Sequence, residues 1–322
     1  VSNVLRWRYN LSTPLDLAQT ARSIISRSRP DVVHLHEFRT AENLLLAKIF
    51  AQNVIPMVMS PHGTLIYETG HSAFKQLWDR LFSEQVAAHI EHVIALTEQE
   101  KADVQHLWHD LKQPDVPISV VPNGVKPIQV MRPTEPPDFL PDVRGKRVVL
   151  FLGRLHQRKG VDVLVRAFKQ ADVPDTLLLL AGPDQGMVAQ IKPLLDERIV
   201  MSGYLDADQR DQVLDLSHVF ALPATGEGLS MAVLEAMSAA LPVLISPGCN
   251  LPDVADADAG LIVQPQVDVL AEALRKLLTL PDAELQRIGA NAKRLVADRY
   301  SWPVVAQQLE AVYQDVRLNR RR

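Results

Sequence analysis

The chain has 322 residues, of which 47% are hydrophobic and 22% are charged, and its formal net charge at pH 7 is −4. This length corresponds to about two domains of ~150 residues, and the balance is typical of a folded protein rather than a disordered one. The acidic total disfavours a nucleic-acid-binding protein, and the single cysteine, Cys249, excludes an internal disulfide and a cysteine-rich zinc site.

Neither a membrane-spanning helix nor a signal peptide is expected. The sequence has no run of the ~18 apolar residues that a spanning helix needs, and its first ten residues contain no apolar signal core. We therefore expect a cytoplasmic protein. Its basic tail, Arg317 and Arg320–Arg322, is either a solvated terminus or a patch for peripheral contact with the inner face of a membrane.

Short apolar runs alternate with helical patterns from Asp31 to Val263, and this alternation predicts βαβ units with parallel sheets. Thr97 followed by Glu100 predicts a capping box at the start of a helix. In the first half we expect strands at 32–35, 55–59, 93–96 and 118–121, and helices at 41–51, 74–89 and 98–108.

A proline-rich stretch, 122–141, interrupts the alternation and predicts a linker between two domains. The predicted fold class is α/β, with two Rossmann-like doubly wound parallel-sheet domains. We expect the first domain over 1–126, the linker over 127–146 and the second domain over 147–300. Its strands are predicted at 147–152, 177–181, 199–202, 219–222, 243–245 and 261–263.

The first loop of the second domain, Gly153-Arg-Leu-His-Gln-Arg-Lys-Gly160, carries three cations and is bounded by glycines. Ligands of parallel α/β sheets bind at the carboxyl ends of the strands. Glycines let backbone N–H groups approach an anion there, and a helix N-terminus with Arg and Lys supplies positive charge. The loop therefore suits a diphosphate, although it is neither a P-loop nor a dinucleotide fingerprint. The alternative is a solvated loop.

A second segment, from Pro223 to Met237, holds two carboxylates eight positions apart. Glu235 is the only charged residue between Leu229 and Ile245, so its burial is costly unless it is hydrogen-bonded. Its partner is either a polyol hydroxyl of a ligand or a protein cation. Glu227 precedes the helix, where free N–H groups favour a bound anion.

Histidines follow two strands of the first half. His62, in Ser60-Pro-His-Gly63, lies at the end of a strand, either as a site residue or as an ordinary turn residue. His34 and His36 share one strand face, but the sequence offers no third ligand cluster. We therefore expect hydrogen bonding at this strand end and no metal site.

Together these segments resemble the retaining glycosyltransferases of family four, which have the two-domain GT-B fold. The resemblance covers nearly the whole chain, and the spacing of the two glutamates after the Arg/Lys loop is its most specific part. The matching pieces are Asp31-Val-Val-His-Leu-His36, Ser60-Pro-His-Gly63, Ala95-Leu-Thr-Glu98, Val121-Pro-Asn-Gly124, Gly153-Arg-Leu155 with Lys159-Gly160, Leu180-Ala-Gly-Pro183, Glu227-x7-Glu235 with Leu241-Pro-Val243, and Tyr300-Ser-Trp302.

The resemblance implies two domains that face a cleft, with a C-terminal helix, 301–322, that crosses back to the first domain. The family's first strand and Gly-rich loop have no counterpart, so the first domain is expected to be incomplete. By resemblance, Arg154 and Lys159 hold the donor diphosphate and Glu235 the ribose hydroxyls, while Glu227 lies at the donor sugar and His62 faces the reaction centre. The other implied donor-site residues are Gly153, Gly203, Tyr204, Gly228, Leu229 and Ser230.

The implied reaction is transfer of a sugar, with retention, from a UDP- or GDP-sugar to a hydroxyl of a saccharide or lipid-linked saccharide. It is expected to serve surface polysaccharide or glycolipid assembly, without a metal or other cofactor. The family usually has Phe-Gly where this chain has Leu229-Ser230, a difference that bears on donor choice. Two alternatives stay open: a catalytically silent or truncated GT-B subunit that binds nucleotide or a partner, and a GT-B sugar-nucleotide epimerase.

Overall fold

The computed structural model describes residues 16–65, 72–128, 137 and 140–319. Contacts divide the chain into two units: unit 1 comprises Val1–Pro122 with Val305–Arg322, and unit 2 comprises Asn123–Val304. Each unit has its own parallel sheet, so the predicted α/β class with two such domains is confirmed. The domain boundaries expected from the sequence stay predictions, since much of the proline-rich linker and Arg320–Arg322 lie outside the described residues.

Unit 1 is built on a four-stranded parallel sheet in the order β1-β2-β3-β4. Its strands are β1 (Val33–His36), β2 (Met57–Ser60), β3 (His92–Ala95) and β4 (Ile118–Val120). Its α-helices are Leu17–Arg27, Ala41–Gln52, Ser72–Trp78, Glu84–Ala87, Glu98–Asp110 and the C-terminal Trp302–Asn319, which begins three residues before the unit boundary. The single helix expected at 74–89 is interrupted by a π-helical turn, Asp79–Ser83.

Successive side chains of β2 point to opposite faces of the sheet and so lie in two separate apolar cores. Met57 and Met59 are buried in the core that four helices help to form, namely Leu17–Arg27, Ala41–Gln52, Glu84–Ala87 and Glu98–Asp110. Val58, between them, belongs to the other core, which includes Val305 and Val312 of the C-terminal helix. Both faces of this sheet are therefore covered, as a parallel sheet requires.

Unit 2 contains a six-stranded parallel sheet in the order β10-β9-β8-β5-β6-β7. The strands are β5 (Arg147–Leu152), β6 (Thr176–Ala181), β7 (Ile199–Gly203), β8 (Val219–Leu222), β9 (Val243–Ile245) and β10 (Gly260–Ile262). This is the doubly wound order in which the chain reverses direction between β5 and β8. Such a reversal opens a crevice at the carboxyl ends of the two strands, where ligands of open α/β sheets bind.

Helices pack in pairs around this sheet. Val161–Ala171 packs against Val267–Leu278, and its apolar face, which includes Leu164 and Phe168, is buried. Met231–Ser238 packs against Asp282–Arg299. The other helices of unit 2 are Val188–Ile191, Ala207–Leu216 and Asp253–Asp256, with 3-10 turns at Gln157–Lys159, Lys192–Leu194 and Pro247–Cys249. No helix in the described parts of the chain has the length and apolar character needed to span a membrane.

Candidate functional site

The loops that follow β5 and β8 touch each other at the reversal point of unit 2. Gly160 closes the first loop with φ 67°, and a Cβ there would lie 2.3 Å from the carbonyl oxygen of Pro223. In the other direction, the Thr225 amide donates to the carbonyl oxygen of Arg158 at 2.8 Å. A side chain at position 160 would separate the loops, so the glycine is needed for both its backbone conformation and its lack of volume.

An ion pair joins the two loops at their centre. The Lys159 ammonium lies 2.8 Å from Oε2 of Glu227, and the side chains are 15% and 17% exposed. A Cβ on Gly153 would lie 3.9 Å from Nζ of Lys159, so the glycine leaves the space beside the ammonium free of a side chain. The site thus presents one cation and one carboxylate, both still partly accessible to a ligand.

The turn after β9 shapes the loop that carries Glu227. The Glu227 amide donates to the carbonyl oxygen of Gly248 at 2.8 Å, and Nδ2 of Asn250 donates to the carbonyl oxygen of Glu227 at 2.6 Å. A Cβ on Gly248 would lie 2.4 Å from the carbonyl oxygen of Ala224. We did not predict roles for Gly248 and Asn250, although Pro247-Gly248 and the left-handed Asn250 are typical turn signals.

Glu235, on the helix Met231–Ser238, is paired with a protein cation. Its Oε1 accepts a hydrogen bond from Nη1 of Arg210 at 3.1 Å, and Arg210 also contacts Asp211 at 2.8 Å. Partial burial raises the pKa of Glu235, and the Arg210 charge opposes that rise. The sequence left two possible partners for Glu235, a ligand hydroxyl or a protein cation, and the structure shows the cation. Arg210 lies on another helix, and no local sequence pattern indicated it.

The helix that carries Glu235 begins at an unsatisfied serine. Ser230 is its N-cap, but the side chain makes no capping hydrogen bond. Its hydroxyl is buried and has no hydrogen-bond partner, and Leu229 beside it is also buried. An unpaired buried hydroxyl costs about 1–3 kcal/mol. Position 230 therefore has an unused hydrogen-bonding group next to the free N–H groups of the first helical turn.

The other predicted donor-site residues of unit 2 lie at the same edge of the sheet. Arg154 is exposed, and its Nη1 donates to Oε1 of Gln185 at 3.1 Å. Gly203 ends β7 with φ 72°, and its carbonyl oxygen accepts from the Gly182 amide at 2.8 Å. Tyr204, which follows, is exposed. Arg154 and Gly203 thus contact the loop after β6. Lys159 and Glu227 instead contact each other and join the loops after β5 and β8.

In unit 1, three histidine rings form a row at the ends of β1 and β2. The His34 and His36 ring centroids are 4.2 Å apart, and Nδ1 of His36 lies 2.7 Å from Nε2 of His62. The two nitrogens of His34 lie 2.8 Å from the Tyr313 hydroxyl and from the Ser60 hydroxyl. Burial, with the neighbouring rings His36 and His62, lowers the pKa of His34 to about 4.

Among the described residues, these histidines belong to no cluster of ligands for a metal ion. Within the described ranges, no group of three or more His, Cys, Asp or Glu side chains could hold a metal ion. The bonds of His34 match the hydrogen-bonding interpretation of this strand end. Burial and the neighbouring His36 also lower the pKa of His62, so the His62 imidazole favours its neutral form.

Two buried charges outside the predicted set hold the His62 turn. Both carboxylate oxygens of Glu100 accept backbone N–H groups, from Gly63 and, at 2.6 Å, from Leu96. The Arg39 guanidinium donates to the carbonyl oxygen of Thr64 at 2.7 Å and is paired with the buried Asp79 at 2.8 Å. The capping box expected at Thr97 is half present: Thr97 accepts from the Glu100 amide, but Glu100 points elsewhere.

Two family models match the sequence. "Glycosyltransferase Family 4" matches residues 1–128, and "Glycosyl transferases group 1" matches residues 137–295. A human component of phosphatidylinositol N-acetylglucosaminyltransferase is 25% identical over 97% of this chain and 64% of its own length. The MMP alpha-(1->4)-mannosyltransferase of Mycolicibacterium hassiacum is also 25% identical, over 96% of this chain and 76% of its own length.

Solved structures agree in fold. Anabaena HepE, in complex with UDP and glucose, superposes with a TM-score of 0.73 at 18% identity, covering 93% of this chain and 81% of that one. Sucrose-phosphate synthase from Thermosynechococcus elongatus gives 0.71 at 20% identity, covering 93% and 77%. At this identity the likeness establishes the architecture, and the chain spans about two thirds to four fifths of these proteins.

Proposed function

The chain belongs to the family-four glycosyltransferases with the GT-B fold, and from this we propose that it transfers a sugar from a nucleoside diphosphate sugar to an acceptor hydroxyl with retention. Unit 2 is the donor-binding unit in this proposal. The observation that carries it is the Lys159–Glu227 pair at the reversal point of the doubly wound sheet, where one ammonium and one carboxylate meet at 2.8 Å. A sugar phosphate offers a partner to each group.

Lys159 is the group that stabilises the departing phosphate. The bond between the anomeric carbon and the phosphate oxygen breaks as the sugar takes on oxocarbenium character, and negative charge grows on the diphosphate. A preorganised ammonium and the free N–H groups of a helix N-terminus favour that charge in the transition state more than in the ground state. We assign Arg154, in the same loop, to the diphosphate as well.

Glu227 acts on the sugar and Glu235 on the nucleotide. Because Lys159 neutralises Glu227, the carboxylate can remain beside an anionic diphosphate and accept hydrogen bonds from sugar hydroxyls. Glu235 is partly buried and already bonded to Arg210; ribose hydroxyls would supply the remaining donors. His62, a residue of unit 1, acts on the reacting sugar in this scheme.

The proposed acceptor is a saccharide or a lipid-linked saccharide. Relatives named for transfer to phosphatidylinositol support a glycolipid acceptor, and a lipid acceptor calls for contact with a membrane surface. Unit 1 has an exposed apolar face in the segment Ser72–Ser83 that suits such peripheral contact: Phe74, Leu77 and Leu81 are each at least half exposed.

Nucleotide release tests the proposal. We expect UDP or GDP to bind in calorimetry, and release of that nucleotide from a UDP- or GDP-sugar to depend on an acceptor, supplied as alkyl glycosides or as phosphatidylinositol in detergent. Anomeric configuration of the product, read by NMR, tests retention. Nucleotide-sugar turnover without any acceptor would favour an epimerase, and binding without turnover would favour a silent subunit.

A further inference from the structure

Glu100 is a buried carboxylate that the proposed mechanism does not use. It lies on the helix Glu98–Asp110 and is 3% exposed. Its Oε1 accepts the Gly63 N–H and its Oε2 accepts the Leu96 N–H at 2.6 Å. Burying a carboxylate costs free energy unless hydrogen-bond donors compensate for the lost water. The buried Glu100 carboxylate therefore needs both N–H groups. The two donors belong to the loops that follow β2 and β3.

The geometry at the start of the helix shows that the Glu100 side chain is not needed to cap its N-terminus. In a capping box, a glutamate at this position bonds back to the backbone N–H of the N-cap residue. Here Thr97 caps the helix by accepting the Glu100 amide at 3.1 Å, and the Glu100 carboxylate bonds to Leu96, one residue before the N-cap, and to Gly63. The carboxylate thus reaches across 37 positions of sequence to another loop.

The loop that Glu100 holds is the one that carries His62, and its backbone is strained. His62 has φ 55° and Gly63 has φ 72°. A residue other than glycine with positive φ persists only when its surroundings fix it. Glu100 fixes the amide side of the turn, while Arg39 fixes the carbonyl side at Thr64 and Leu65, at 2.7 and 3.1 Å.

We propose that Glu100 is a positioning residue: by bridging the Gly63 and Leu96 amides, it holds the His62 ring in the orientation in which the ring contacts His36, and the proposed role of His62 requires this orientation. This inference rests on the proposed function for the role of His62. It adds that the orientation is set by a carboxylate that does not itself touch substrate. Without the bridge, the turn is free to leave the left-handed region, which carries the His62 ring away from His36.

Glu100→Gln is the decisive variant, because an amide can accept only one of the two N–H groups and turns a donor toward the other. Thr97→Ala is the matched control, since it weakens the same helix by removing its cap without touching the His62 turn. We expect Glu100→Gln to lower kcat by roughly 10- to 100-fold, in the range of a misplaced reacting group, with KM for the nucleotide sugar changed less than about threefold.

The second readout is the NMR titration of the His62 ring, assigned with His62→Gln. We expect Glu100→Gln to move the His62 pKa toward the ordinary value of ~6.5 and Thr97→Ala to leave it in place, even where both variants lose the same thermal stability. Glu100→Asp, whose carboxylate is too short to bridge both amides, should give the same change and serves if the glutamine variant does not fold.

The inference would be overturned if folded Glu100 variants and Thr97→Ala had the same His62 pKa and the same kcat. Glu100 would then be a structural residue only. If the unmodified protein transfers no sugar to any acceptor, the proposed function fails instead. The His62 titration still decides the positioning role in that case, because it requires no turnover.

Discussion

Glu227 and Glu235 differ in their partners, and that difference predicts separable effects. Glu235→Ala removes a charge-assisted acceptor worth ~1.5–3 kcal/mol and should weaken UDP or GDP binding about 10- to 150-fold. Arg210 retains Asp211 as a partner at 2.8 Å, so the loss of Glu235 does not leave a buried charge unpaired. Calorimetry of the free nucleotide measures the change.

Glu227→Ala should lower the transfer rate by orders of magnitude while the affinity for free UDP or GDP stays within a few-fold, since the carboxylate acts on the sugar. Initial rates with the intact donor measure the effect. Glu284→Ala, which removes an exposed partner of Arg287, is the control for loss of a surface carboxylate. Loss of nucleotide binding in Glu227→Ala, with normal binding in Glu235→Ala, would contradict both assignments.

His34 predicts how the stability of unit 1 depends on pH. Its pKa is about 4 in the folded protein, because of burial first and of His36 and His62 next, and ~6.5 when unfolded. Between these values the unfolded chain binds more protons, so the contribution of His34 to the free energy of unfolding is present above pH ~6.5 and is lost as pH falls toward 4.

Urea denaturation of the protein at pH 7 and at pH 5 measures this dependence. His34→Gln should be less stable at pH 7, because its hydrogen bonds with Ser60 and Tyr313 in a partly buried cluster are lost. The variant should also lose less stability between the two pH values. The exposed His89→Gln is the control. A loss as large in His34→Gln as in the unmodified protein would show that other groups set the pH dependence.

At the scale of elements, the buried strands were predictable and the contacts between distant residues were not. Parallel strands covered on both faces are apolar runs, and β5 and β8 begin and end where the sequence indicated. Glu235 was identified as a carboxylate in need of a partner, but Arg210 lies 25 positions away. A hydrogen bond between two distant loops leaves no periodicity in the sequence, which is why the roles of Gly248 and Glu100 were also missed.

The segment Ser72–Ser83 predicts an interaction with anionic membranes. Phe74, Leu77 and Leu81 are 52%, 56% and 50% exposed, they recur at intervals of three and four residues, and the exposed Arg80 adds positive charge. An apolar face with adjacent cations is the chemistry of a surface that lies on a lipid interface.

We expect the protein to sediment with vesicles of phosphatidylcholine and phosphatidylglycerol more strongly than with phosphatidylcholine alone. Replacement of Phe74, Leu77 and Leu81 by serine should abolish most of this binding, since ~0.8 kcal/mol is lost for each CH₂ no longer buried. Ile24→Ser, a change at an equally exposed apolar residue of another helix, should not. Sedimentation unaffected by the triple substitution would exclude this face.

At the scale of the whole molecule, donor binding should not need a divalent metal. The loop from Gly153 to Gly160 carries Arg154, Arg158 and Lys159. Lys159 lies where the loops after β5 and β8 meet, so cationic charge is available where a metal would otherwise neutralise a diphosphate. Calorimetric binding of UDP or GDP in EDTA should match that with magnesium within about threefold. A large loss in EDTA, reversed by magnesium or manganese, would show that a metal takes part.

Unit 1 consists of two segments that are far apart in the sequence, and this affects how the protein folds during its synthesis on the ribosome. Val58 and Ile94 are made early, yet Val305, Val312 and Val316, which cover that face of the sheet, are made only after residues 123–304. At ~5–20 residues per second this interval lasts roughly ten to forty seconds. During this interval the sheet face that these valines cover remains exposed. We therefore expect chaperones to bind the nascent first unit, and the second unit has time to finish folding before the first.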